Sequence, residues 1–149
     1  MPKITPFSGL LLWALGVPAI AQETAPAALP RTAAPDSALT YFLLPANGAT
    51  VSSPFTIRFG LRGMGVAPAG VTTPNTGHHH LLVDVETLPP DNVPIPNDPN
   101  HRHFGLGQTE TELTLPPGQH TLQLVLGDAL HIPHQPPVRS EKITITVTQ

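Results

Sequence analysis

The sequence predicts an all-β domain, an immunoglobulin-like antiparallel sandwich of six or seven strands over residues 41–149, on three observations. Short apolar runs rich in β-branched and aromatic residues follow one another from Tyr41 onward. Within several runs apolar and polar residues alternate, the period of a strand with one buried and one wet face. Clusters of Pro, Gly and Asn separate the runs and act as turn punctuation.

A first strand is expected near residues 41–44. In the next run Phe55, Ile57, Phe59 and Leu61 alternate with Thr56, Arg58, Gly60 and Arg62. Further strands are expected near 79–85 and 108–115, and Pro116-Pro117-Gly118 turns the latter into a strand over 119–126. There Leu122, Leu124 and Leu126 alternate with Thr121, Gln123 and Val125. The last run sets Ile143, Ile145 and Val147 on one face and Thr144, Thr146 and Thr148 on the other. Residues 63–76, with three glycines and two prolines, and residues 88–100, with five prolines, resist strand assignment and read as long loops. Both lead into histidine clusters.

Upstream of the domain, Met1-Pro2-Lys3 precedes an apolar stretch over residues 7–20, which ends at Ala19-Ile20-Ala21 before the polar Gln22. A positive end, an apolar middle and a small-residue site are the parts of a secretory signal, so residues 1–21 are expected to be removed and the protein to be periplasmic or secreted. The apolar middle is shorter than the roughly 20 residues a spanning helix needs. Residues 22–40, rich in Ala, Pro and Thr and without periodicity, read as a disordered linker.

Cysteine is absent, which removes disulfides, thiolate metal sites, cysteine nucleophiles and lipid attachment at a cysteine. The net charge is −3 with neutral histidines, and only 11% of residues are charged. Nucleic acid is therefore not an expected partner, nor is the membrane once the leader is gone. The single tryptophan, Trp13, belongs to the leader.

All eight histidines fall within residues 78–134. Imidazole suits zinc, copper, nickel and iron, and without cysteine a site for such ions must use His, Asp, Glu or Met. If Leu81, Val83 and Val85 face the core, His79 shares their face and His78 and His80 project together from the other. The same period of two pairs His101 with His103 if that segment is extended. Pro133 prevents a regular helix between His131 and His134, leaving a loop able to wrap an ion, with Asp128 as ligand or orienting carboxylate. The candidate metal-ligating residues are thus His78, His80, His101, His103, His131, His134 and Asp128. His120 has core parity with Leu122, Leu124 and Leu126 and is assigned a structural, hydrogen-bonded role. Met64 is assigned to packing, and a blue-copper centre is excluded because it requires a cysteine thiolate. The spacings match no HExxH pair and no calcium loop.

Several segments in the same order carry a resemblance: Pro45-Ala46-Asn47-Gly48-Ala49-Thr50-Val51, Gly77-His78-His79-His80-Leu81-Leu82, His103-Phe104-Gly105, Gly107-Gln108-Thr109-Glu110 and residues 127–137. Together, over residues 41–148, they resemble the exported bacterial domain of unknown function 4399. The resemblance implies a domain boundary but no activity, substrate or cofactor. That family's pattern often has a further histidine after the Gly-Asp pair, where this chain has Ala129-Leu130, so the ligand set implied around this loop is thinner here.

The leading expectation is a non-enzymatic module whose strand-end loops bind copper or zinc. The rival is a structural or protein-interaction domain of the cell envelope, in which the same histidines stabilise loops and the partner is another envelope protein. No nucleophile elbow or phosphate loop points to an enzyme.

Overall fold

The alternating runs fold as the strands they predict in a computed structural model that describes residues 29–149. The expected signal peptide and residues 22–28 of the expected linker lie outside the described residues. The strands are β1 Leu39–Leu44, β2 Thr50–Ser52, β3 Phe55–Arg62, β4 Gly65–Val66, β5 Thr76–Val83, β6 His101–His103, β7 Glu110–Leu113, β8 Gly118–Gly127 and β9 Ile143–Thr148. They form a three-stranded sheet in the order β1-β3-β7 and a six-stranded sheet in the order β2-β9-β8-β5-β4, with β6 pairing β5. No described residue is helical, and no described helix is long and apolar enough to cross a membrane.

The all-β class stands, and the finer expectation is corrected in three respects. There are nine strands among the described residues rather than six or seven. Two pairs, β2 with β9 and β4 with β5, are parallel rather than antiparallel. The three-stranded sheet curls into half a barrel, and an immunoglobulin-like arrangement is not established. The additional strands are two or three residues long and lie in Pro- and Gly-rich stretches, where so short a run carries no alternation to read.

The core lies where alternation put it. Phe55, Ile57 and Phe59 of β3 meet Leu81 and Val83 of β5, Leu122 and Leu124 of β8, and Ile143, Ile145 and Val147 of β9. Strand β5 is buried on both faces, because the proline-rich loop before β6 folds over the outer face of the six-stranded sheet and lays Ile95 and Leu88 against Leu82 and Val125. Each fully buried aliphatic side chain contributes about 1.5–3 kcal/mol relative to exposure. That covered outer face is where His78 and His80 point.

Residues 31–34 correct the linker expectation. Ala33 bridges Gln135 in parallel, the Ala34 amide donates to the Gln135 carbonyl at 2.9 Å, and the Gln135 amide donates to the Thr32 carbonyl at 2.9 Å. Backbone pairing of this kind leaves no periodicity in the sequence, so composition alone could not separate a docked segment from a free one.

Candidate metal centre

Three elements converge on one point outside the sheet. Strand β5 presents His78 and His80 two residues apart on its outer face, as alternation predicts. Strand β6 brings His103 directly opposite His80 in the antiparallel register. Strand β8 ends with Gly127 opposite His78, and the chain then turns through a loop that returns His131 over the same spot.

Asp128 builds that loop. Its carboxylate accepts the Leu130 amide at 2.9 Å, the Ile132 amide at 3.0 Å and the Thr32 hydroxyl at 2.7 Å. Burial pushes its pKa up, but the three hydrogen bonds outweigh burial and hold it below the usual carboxylate range. The His131 amide donates to the Asp128 carbonyl at 2.9 Å, and the Ile95 amide donates to the His131 carbonyl at 2.8 Å. His131 sits at φ 66°, a left-handed conformation uncommon for histidine and costly unless its surroundings impose it.

One nitrogen from each of His78, His80, His103 and His131 lies within 4.8 Å of the others. His78 Nε2 is 3.0 Å from His131 Nδ1 and 3.0 Å from His80 Nε2. Ring centroids are 4.7 Å apart for His103 and His131 and 5.0 Å apart for His80 and His103. A tetrahedral ion with metal–nitrogen bonds of about 2.0 Å sets its ligand nitrogens roughly 3.3 Å apart, close to two of these contacts. His78 and His80 are buried, whereas His103 and His131 are half-buried and form the solvent side.

A neutral imidazole nitrogen carries either one hydrogen or one lone pair. His78 Nε2 therefore makes one well-directed hydrogen bond to its two neighbours, not two. Nδ1 of His78, Nδ1 of His80 and Nε2 of His103 are buried without any partner. Leaving such atoms unsatisfied costs free energy that a folded chain ordinarily avoids.

Electrostatics disfavour protonation at three of the four histidines. Burial, reinforced by His131 and His103, pulls His78 down to about 4. Burial together with His78, His103 and His131 pulls His80 down to about 2. Burial and His131 also hold His103 below its ordinary value. Neutral imidazoles are the form that ligates.

Glycines make the space. A β-carbon on Gly127 would stand 2.9 Å from His80 Nε2, and one on Gly105 would stand 2.2 Å from His103 Cε1. Neither glycine was singled out in the sequence as part of a site. The motifs Gly127-Asp128 and His103-Phe104-Gly105 were the only signal.

Of the seven candidate ligands, four converge and three do not. His101 lies opposite Leu82, two residue pairs along from the His80–His103 pair, and its Nδ1 meets the Asp98 carboxylate at 2.9 Å. His134 is buried with Nε2 3.1 Å from the Thr76 carbonyl, filling the space over Gly77. The Asp128 carboxylate is occupied by the hydrogen bonds that shape the loop, so it orients His131. His79 shares the core face as expected, with Nδ1 3.1 Å from the Thr40 hydroxyl and its ring against Phe59. His120 is tied at both nitrogens, to Asp84 at 2.7 Å and to the Pro116 carbonyl at 2.9 Å, in keeping with a structural role.

The family described as Domain of unknown function (DUF4399) matches residues 57–148. The chain belongs to that family. No curated protein matches it, and no solved structure does. The DUF4399 span begins inside β3 and contains all four converging histidines, but it leaves out β1, β2 and the docked residues 31–34.

Proposed function

We propose that this DUF4399 protein is a non-enzymatic module, acting outside the cytoplasm, that binds one zinc or copper ion through His78, His80, His103 and His131. The observation that carries the reading is the convergence of four imidazoles, one nitrogen of each within 4.8 Å of the others, with three of them held below the ordinary histidine pKa by burial. An all-imidazole set suits borderline ions such as zinc and copper(II), and it leaves the charge of the ion uncompensated by any anionic ligand. The nearest counter-charge is Asp128, whose field favours positive charge at His78.

Titration of untagged protein with zinc(II) and copper(II), read by calorimetry against a competing chelator, tests this. The expected result is saturable binding at one ion per chain, abolished in His78→Ala and weakened in His103→Ala. Nonsaturating uptake, or equal loss in His103→Ala and His120→Ala, would overturn it, since any histidine-rich surface picks up metal weakly.

A second reading is an envelope interaction module. Leu39, Tyr41 and Leu43 stand exposed on β1, an edge strand of the three-stranded sheet. Such an edge accepts another strand. Binding of an envelope protein that is lost in Leu43→Lys, in a protein that takes up no metal, is the result that would favour it.

A further inference from the structure

We propose that Arg31 and Thr32 are positioning residues for His131: residues 31–34 form a latch that holds the loop after β8 in its ligating shape, so that latch closure and metal binding reinforce each other. The inference rests on the metal reading above.

From other segments the loop also receives the Ile95 amide at the His131 carbonyl and the Gly70 amide at the Ala129 carbonyl. His131 occupies a left-handed conformation that its own side chain does not favour, and the turn is kept by the Asp128 carboxylate. The Thr32 hydroxyl donates to that carboxylate at 2.7 Å, on the oxygen the loop amides leave open. Arg31 Nε donates to the Pro133 carbonyl at 3.1 Å, and another guanidinium nitrogen donates to the His134 carbonyl. The same guanidinium lies 3.7 Å from the Asp91 carboxylate, which also receives Arg139. Arg31 thus ties the histidine loop to the proline-rich loop that covers the outer face of β5. The backbone of Thr32 and Ala34 completes the contact by pairing with Gln135 on both sides.

None of residues 31–34 can ligate the ion, and all four lie outside the DUF4399 span. Outer residues that orient a ligand commonly change metal affinity about 10–100-fold. Linkage is reciprocal: a latch that raises metal affinity by some factor must itself be closed by metal to the same factor. Arg31 is the natural reporter, because trypsin cleaves after arginine only when the bond can leave the surface.

The experiment measures zinc(II) affinity of the wild-type protein and of Thr32→Val, Thr32→Ser and Arg31→Gln, together with the rate of tryptic cleavage after Arg31 with and without zinc(II). Thr32→Val and Arg31→Gln are expected to bind about tenfold more weakly. Thr32→Ser, which restores the hydroxyl, should regain wild-type affinity. Zinc(II) should slow cleavage after Arg31 in the wild type, and His131→Ala should abolish that protection. A purely structural threonine would lower stability and leave zinc affinity unmoved. Equal affinity in Thr32→Val and wild type, or cleavage indifferent to zinc in a wild type that binds it, overturns the latch alone. A wild type that binds no metal overturns the metal reading and the latch with it.

Discussion

Two groups of histidines in this molecule differ in what their imidazoles face. His101 and His120 each turn Nδ1 to a carboxylate, Asp98 at 2.9 Å and Asp84 at 2.7 Å. His78, His80, His103 and His131 turn toward one another on a covered sheet face. A carboxylate uses up the nitrogen it meets, and at His120, although burial lowers the pKa, the Asp84 bond raises it overall. Burial does the reverse at His78, His80 and His103, disfavouring the proton while their nitrogens gather with that of His131 around one point. The identity of the residue says little about its chemistry until its neighbours are known.

The largest expected effect separates the two groups by pH in the metal-free protein. His78 in the folded chain is at about 4, against about 6.5 when unfolded, so the unfolded state binds more protons between those values. Stability from this group is complete above pH ~6.5 and lost as pH falls toward 4, on the order of 3 kcal/mol from the size of that shift. Urea denaturation between pH 7.5 and 4.5 measures it. A flat profile would mean that the cluster is solvated and the contrast is void.

Metal should act on one group alone. At a hundredfold excess over the dissociation constant, zinc(II) should stabilise the fold by about 2.7 kcal/mol. That gain should vanish in His131→Ala and survive in His101→Ala. Thermal unfolding with and without zinc decides, and loss of the shift in both variants would place His101 among the ligands.

A subtler change leaves every histidine in place. Gly127→Ala puts a methyl group 2.9 Å from His80 Nε2, forcing that ring off its position. Overpacking of this kind costs typically 1–3 kcal/mol, and here zinc affinity should fall with it. An alanine variant with unaltered zinc binding, read by chelator competition, would mean that His80 is not a ligand.

The smallest effect belongs to the other group. His120→Ala removes two hydrogen bonds near the start of β8 and should cost about 1 kcal/mol with no change in metal affinity. Because its pKa is raised in the folded state, the contribution is complete below the unfolded value near 6.5 and fades as pH rises through the folded one. The variant should therefore differ most from wild type at mildly acid pH, opposite in sign to the cluster.

Much of this architecture is visible as period-two alternation. Phe55, Ile57 and Phe59, the three leucines of β8 and the β9 run all bury the face they were expected to bury. The same period separates His79 from His78 and His80 correctly. Strands β2, β4 and β6 escape notice because two or three residues cannot show a period, and the docking of residues 31–34 escapes because it is made by backbone groups and two side chains whose partners lie about 100 positions away.

Local pattern therefore carries the strand class, the core residues and the pairing of histidines within a strand, since each depends only on which way neighbouring side chains point. Choosing four ligands from seven candidates is a different kind of question. It depends on register between strands, which sets His103 against His80 and His101 against Leu82, and on a loop whose return is fixed by Asp128 and by Thr32, a residue 96 positions from it in sequence. Such pairings are made by the closing of the whole chain, and no short stretch of residues contains them.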